Sequence, residues 1–436
     1  MKNIFISFVA TVIIQLVTML GGILSARLLL PQGKGELTAI MLWPSLIASL
    51  GSLGIYDAVA FFIANDSKYG TKTIFASGML LAVVLSCALM GIGYVVQPIV
   101  LSNYGVIAIN TSLLFIWYIP LALITSCLMA VMLGKLRLSQ YNFLRTFVHI
   151  GNVFGMVALY LSGKVSVRSF AAAFLISSSV TLLLAAGFLV RRGWIGWLPE
   201  LGVMKRLLAY GLKVHVGSVA GFLNMRLDQM LLSVLLLPSV LGVYVVAVSI
   251  GFVASLVATT IGLVAFPHVA NLASEQLKRQ AFGRFMRLSL FMSLILAGVL
   301  YIFTPQIIVL FFGVAYLEAT DPARVLTFAS IPLGCNILFA AGFKAFNFPL
   351  LSGKSEVIGL AVTGASLMVL LPSYQALGAA WASLLSYSAS FLYMAGRTNQ
   401  IGLTLPQLLL PNREDLNYLK HLLPRMSRRL GISEVK

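Results

Sequence analysis

Residues 26–65 read ARLLLPQGKGELTAIMLWPSLIASLGSLGIYDAVAFFIAN, and residues 233–271 read SVLLLPSVLGVYVVAVSIGFVASLVATTIGLVAFPHVAN. LLLP aligns Pro31 with Pro238, the glycines that follow align Gly35 with Gly242, and the endings at Asn65 and Asn271 close the match with a single-residue gap. Each block holds the end of one apolar run, a short turn and the whole of the next run. Four letters recur easily in a Leu-rich chain, but their shared spacing does not, so the blocks read as copies of one unit. A second echo pairs Ala171-Ala172 with Ala379-Ala380.

The composition around these blocks is that of a membrane protein. The chain has 436 residues, 60% hydrophobic and 10% charged, with a mean hydropathy of +0.99. Soluble domains carry about 25% charged residues. Runs of about 20 mainly apolar residues, the length that crosses a bilayer as a helix, occur twelve times: 4–30, 38–63, 73–97, 105–133, 143–162, 169–190, 207–237, 240–270, 286–312, 323–347, 355–372 and 376–397. They are too long and too continuously apolar for barrel strands, which span about 10 residues and alternate. The first run continues without an Ala-x-Ala cleavage site, so it reads as a retained helix.

The repeat and the span count predict an all-α polytopic membrane protein of twelve transmembrane helices, in two six-helix lobes related by a parallel pseudo-two-fold repeat around a central cavity. The lobes are expected at 1–190 and 207–398, joined by the cytoplasmic linker 191–206, in which Trp194 and Trp197 suit the headgroup level. Residues 399–436 are expected as a basic amphipathic cytoplasmic tail, and REDLNYLKHLLPRMSRRL within it reads either as a helix on the membrane surface, capped by Asn412, or as solvated chain. Lys68, Lys72, Lys135, Arg137, Arg191, Arg192, Lys205, Arg206, Lys278, Arg279, Arg284 and Arg287 all fall in even-numbered loops. The positive-inside rule makes those loops and both termini cytoplasmic. The net charge of +18 then faces anionic lipid rather than nucleic acid.

Charges inside the runs are the candidate functional residues, because a charge near the bilayer centre costs about 2.5–3.5 kcal/mol and usually faces the bundle interior or a water-filled path. Arg226 and Asp228 stand in the middle of GSVAGFLNMRLDQMLLSVLLLP, residues 217–238. On one continuous helix, at about 100° per residue, His215, Arg226, Gln229 and Ser233 share a side, and Lys213, Asn224 and Asp228 share the opposite one. Arg226, with His215, then presents positive charge to an anionic substrate, or Arg226 and Asp228 each pair with another helix. Their first-lobe equivalents are Met19 and Gly21.

Asp57 could carry a proton or hold a basic partner. Arg145 and His149, four apart, share a face where a phosphate could enter or where the helix end is solvated. Lys344 is a similar case, Arg27 suits snorkelling, and His268 beside Pro267 suits a packed core. Cys87, Cys127 and Cys335 are dispersed without metal spacing, so no metal or cofactor is expected. No HExxH, GxSxG, Walker motif or outer-face acid pair occurs, and every outer loop is short, which argues against an enzyme.

LLLP followed by GKGEL after the first helix, RLDQ in the seventh, the chain length and the paired spans resemble the bacterial Wzx-type O-antigen or polysaccharide flippases, within the multidrug/oligosaccharidyl-lipid/polysaccharide exporter superfamily. The Gly that usually precedes that Pro is Leu30 here. The resemblance implies movement of an undecaprenyl-diphosphate-linked oligosaccharide from the cytoplasmic to the outer leaflet of the inner membrane, with membrane lipids, polysaccharide polymerase and chain-length machinery as partners. Arg226 becomes the first expected contact of the diphosphate, since a guanidinium matches phosphate geometry. A cation-coupled antiporter of the same superfamily is the alternative, although residues 4–30 lack the acid that such proteins carry on the first helix. A membrane-embedded glycosyltransferase is the remote one.

Overall fold

The computed structural model describes residues 2–65 and 68–410. Its helices are α1 (Lys2–Gly51), α2 (Ile55–Asn65), α3 (Thr71–Val100), α4 (Gly105–Phe115), α5 (Tyr118–Gly134), α6 (Leu138–Leu161), α7 (Val167–Arg191), α8 (Leu201–Asn224), α9 (Leu227–Leu235), α10 (Pro238–Ala270), α11 (Glu275–Ile307), α12 (Thr320–Ala345), α13 (Pro349–Ala395) and α14 (Leu405–Leu409). No strand occurs among the described residues. With no water in the bilayer core to satisfy backbone groups, apolar runs of this length satisfy them within each helix. The helix expected in the basic tail beyond Asn412 lies outside the described residues.

Among the described residues nine helical stretches are long and apolar enough to cross a membrane. The twelve expected spans differ from these at four places, one of them the second expected span, which breaks at 52–54 and leaves α2 too short to be counted. α1 runs through the first turn, although its backbone breaks at Leu30 (φ 58, ψ 176) just before Pro31. α13 likewise runs through a break at Gln375 (φ 46, ψ −123), between the last two expected spans. The seventh expected span is interrupted, and neither α8 nor α9 is counted among the nine.

The chain forms two compact units. The first comprises the described residues up to Ser249, with Thr304–Ala323 and Thr363–Ala382. Its core packs Val59 and Ile63 of α2, Phe75 and Leu81 of α3, Leu128 and Val131 of α5, Leu144 of α6 and Leu189 of α7 around Val203 and Leu207 of α8. The second comprises Ile250–Phe303, Arg324–Val362 and the described residues from Ser383. Phe282, Met286, Leu338, Phe339, Phe343 and Met394 form its core. Gly342 gives the Phe282 ring room there, since a Cβ on it would stand 2.3 Å from that ring.

Candidate polar sites of the first unit

The seventh span breaks at Met225 and Arg226. The Arg226 backbone leaves helical geometry (φ −130, ψ −12) before α9 begins, so the single-helix arrangement that aligned His215 with Arg226 does not hold. Arg226 is exposed, and its Nη1 donates to Gln229 Oε1 at 3.1 Å. Asp228 is 7% exposed. It accepts from the Tyr244 hydroxyl at 2.5 Å and from the Gln229 amide at 2.7 Å, and its place in the first turn of α9 suits a carboxylate. Asn224, also buried, accepts from Thr363 Oγ1 at 2.7 Å. Trp43 Nε1 donates to Ser233 Oγ at 3.1 Å. Arg226 and Asp228 thus meet at Gln229, one at its side chain and the other at its backbone amide, while Asp228 alone reaches Tyr244, and buried and exposed residues do not follow the two sides of one helix. Lys213 is exposed on α8.

A second group joins four helices. On α6, Tyr141, Arg145 and His149 follow at four-residue spacing and so share a face. The Tyr141 hydroxyl lies 2.9 Å from that of Tyr56 on α2. The Arg145 guanidinium stands 5.5 Å from the Tyr141 ring centroid, a separation at which ring and cation attract. A ring nitrogen of His149 lies 3.3 Å from the Thr18 hydroxyl on α1. Asp57, exposed and next to Tyr56, is within electrostatic reach of His215 on α8. His215 Nε2 donates to the Leu50 carbonyl at 2.8 Å.

Glycine explains how α8 comes this close. The chain between α1 and α2 turns through Leu53 (φ 49) and Gly54 (φ 68). A Cβ on Gly54 would stand 2.3 Å from the Gly211 carbonyl oxygen, and one on Gly211 2.5 Å from that of Leu53. Small residues let membrane helices approach through their backbones, and this approach carries His215 to the α1–α2 turn. The group thus gathers Asp57, Arg145, His149 and His215. It also contains Tyr56, Tyr141 and Thr18, whose only sequence signal was the position of Tyr141 four residues before Arg145.

Arg27 is exposed near the end of the first expected span. Its Nε donates to the Phe311 carbonyl at 2.8 Å, and a second guanidinium nitrogen donates to Leu310. These carbonyls belong to the single π turn Ile308–Phe312, where a helix end leaves acceptors open. The Tyr316 hydroxyl donates back to the Ala26 carbonyl at 3.0 Å. Lys344 belongs to the second unit, exposed in the last turn of α12.

The two copies of the LLLP turn meet each other. A Cβ on Gly35 would stand 1.7 Å from the Pro238 carbonyl oxygen, and a Cβ on Gly242 would stand 2.0 Å from that of Pro31. The contact is reciprocal, and only glycine permits it at either position.

Comparison with known proteins places these features in a family. A family described as "Polysaccharide biosynthesis protein" matches residues 1–273. A probable low-salt glycan biosynthesis flippase, Agl15 of Haloferax volcanii, is 22% identical over 310 residues, covering 66% of this chain and 64% of that protein. The chain therefore spans less than two thirds of the length of that curated relative. A lipid II flippase MurJ in an inward closed conformation matches with a TM-score of 0.75 at 13% identity, over 91% of this chain and 87% of that one. An inward-facing multidrug resistance MATE family transporter of the MOP superfamily matches with 0.72 at 14%, over 89% and 95%. At such identities the structural likeness speaks to fold alone. By the match over residues 1–273 the chain belongs to the polysaccharide biosynthesis protein family, as a multi-pass membrane protein with the all-helical fold seen in MurJ and MATE transporters.

Proposed function

We propose that the protein flips an undecaprenyl-diphosphate-linked oligosaccharide from the cytoplasmic to the outer leaflet of the bacterial inner membrane, by alternating access, and delivers it to polysaccharide polymerase and chain-length machinery. The observation that carries this reading is the group of Arg145, His149, His215 and Asp57 around the Tyr56–Tyr141 pair. All four stand in apolar runs, where charge is costly unless water or an ionic ligand reaches it. A diphosphate is such a ligand. Arg145, held over an aromatic ring and one turn from His149, offers a planar donor fork. Arg226, exposed at the α8–α9 break, offers a second. Lys213 adds positive charge in the same unit, Lys344 is a separate candidate in the second unit, and the neighbouring hydroxyls and amides of Tyr56, Tyr141, Asn224 and Gln229 suit polar cargo or fix the helices. Asp57 and Asp228 serve coupling or inter-helix pairing. Family membership and the flippase name of the Haloferax relative support the same substrate class.

The test is deletion of the gene followed by assay of lipid-linked sugars in inverted membrane vesicles. Accumulation on the cytoplasmic leaflet is expected, rescued by the wild type but not by Arg145→Ala or Arg226→Ala at equal abundance. Full rescue by both variants would remove the site. Normal glycans with lost drug resistance would instead favour the cation-coupled antiporter.

A further inference from the structure

Lys34 is the anomaly of the first unit. It is 9% exposed, and its Nζ donates to Ser25 Oγ at 2.8 Å. Ser25 is itself 2% exposed and gives its own hydrogen to the Gly22 carbonyl at 3.0 Å. An ammonium has three hydrogens to donate, and Ser25 is the one side-chain acceptor described for it. The acid nearest in sequence, Glu36, accepts from Gln32 at 2.9 Å instead. A buried charge without a counter-ion costs several kcal/mol.

The repeat shows that the fold does not require this arrangement. Pro31 and Pro238, like Gly35 and Gly242, stand 207 positions apart. By the same offset Ser25 and Lys34 correspond to Leu232 and Leu241, both 0% exposed. An apolar pair fills the two positions in one copy, and a hydroxyl with an ammonium fills them in the other. Lys34 also immediately precedes Gly35, so the backbone seated against the Pro238 carbonyl fixes the lysine as well.

We propose that Lys34 and Ser25 form an anion site for a diphosphate group, buried in this structure next to the paired Pro–Gly turns and opened when those turns part. The positive-inside pattern puts these turns on the outer side, so the site takes the diphosphate late in transfer, after Arg145 and His149. Its place in transport rests on the flippase reading, while its anion chemistry does not. A lipid-linked diphosphate and free inorganic pyrophosphate present the same chemistry to Lys34, and the two arms of the experiment separate them.

In the first arm, the full chain in proteoliposomes is treated with an amine-reactive reagent and labelling of Lys34 is followed by mass spectrometry. Slow labelling is expected in the wild type and faster labelling in Gly35→Ala, where the turns cannot close. Inorganic pyrophosphate, but not chloride, should slow it again. In the second arm, lipid-linked oligosaccharide transport by Lys34→Gln should fall about ten- to a hundredfold, the worth of a hydrogen bond to a charged group, while Lys34→Arg retains most of it. Lys34→Leu guards against misfolding, because it restores the residue of the other copy and should raise the melting temperature while transport falls. Wild-type transport by Lys34→Gln, or labelling in Gly35→Ala that pyrophosphate leaves unchanged, would overturn the site. Protection by pyrophosphate in a wild type that flips no lipid-linked oligosaccharide would retain the site and remove the flippase reading.

Discussion

The two copies of the LLLP turn share their Pro–Gly contact and differ in what they bury. In the first, Ser25 and Lys34 form a buried polar pair where the second has Leu232 and Leu241. In the second, Asp228 and Tyr244 form one at the positions that Gly21 and Leu37 hold in the first. Pro31, Gly35, Pro238 and Gly242, which make the reciprocal contact, are common to both. What the copies share is the close backbone approach of the two turns. What they do not share is the side chains they bury, a lysine with a serine in one and an aspartate with a tyrosine in the other.

Moving the cation to the other copy breaks this comparison most severely. Leu241→Lys places an ammonium at a fully buried position, where Leu232 offers no acceptor in the role of Ser25. A destabilisation of about 4 kcal/mol or more is expected, from burial of an unpaired charge, read as the shift in thermal unfolding in detergent. A near-normal melting temperature would show that the position reaches water, and would weaken the argument that Lys34 is an anomaly.

The glycines test the shared part. Gly35→Ala and Gly242→Ala each drive a methyl into a backbone carbonyl, and backbone cannot yield as a side chain can. Each should cost about 2–3 kcal/mol. Because both act on one contact, the double variant should cost clearly less than their sum. Additive losses would mean that the two turns do not depend on each other. Gly22→Ala, which would meet nothing within 4 Å, is the control.

Much of this was legible in the sequence. The helical class follows from runs too long for strands, and the alignment of Pro31 with Pro238 and of Gly35 with Gly242 was readable from spacing, whereas the contact between the two turns was not. Nor was the interruption at Met225. It has neither Pro nor Gly at the break, and the residues flanking it are held by partners remote in sequence, Asn224 by Thr363 and Asp228 by Tyr244. The Tyr56–Tyr141 pair was equally hidden, since 85 positions separate the two tyrosines. Lys34 gave no signal either, because a charged residue in a short turn between apolar runs does not announce its burial in sequence. The contacts of Arg27 were hidden in the same way, since the carbonyls it meets lie 283 and 284 positions away.

The carboxylate pair of the second copy is open to a double-mutant cycle. Tyr244→Phe removes a hydroxyl from a buried carboxylate and keeps the ring, so about 2 kcal/mol of stability should be lost. Replacing both partners by apolar residues, Asp228→Leu with Tyr244→Leu, should cost less than the sum of the single changes, since no buried charge is then left unsatisfied. If Tyr244→Phe were neutral in thermal unfolding, Asp228 would draw its support from Gln229 and the α9 N-terminus instead.

The smallest expected effect concerns a backbone difference between the turns. Leu30 adopts φ 58, in the left-handed region, whereas Leu237, its counterpart before Pro238, is not among the residues of positive φ. A side chain in the left-handed region costs about 1–2 kcal/mol, and glycine removes that cost while adding back roughly 0.5–1 kcal/mol of unfolded-state entropy. Leu30 is 58% exposed and Leu237 66%, so little packing is lost with either side chain. Leu30→Gly should therefore stabilise the protein by up to about 1 kcal/mol, while Leu237→Gly, on a backbone without that strain, should destabilise it by roughly the glycine entropy term. The glycine usual before this proline in the flippases that the sequence resembles fits the same backbone requirement. Matched thermal unfolding of the two variants decides the point, and a lower melting temperature for Leu30→Gly would show that the leucine side chain contributes more than its strained backbone costs.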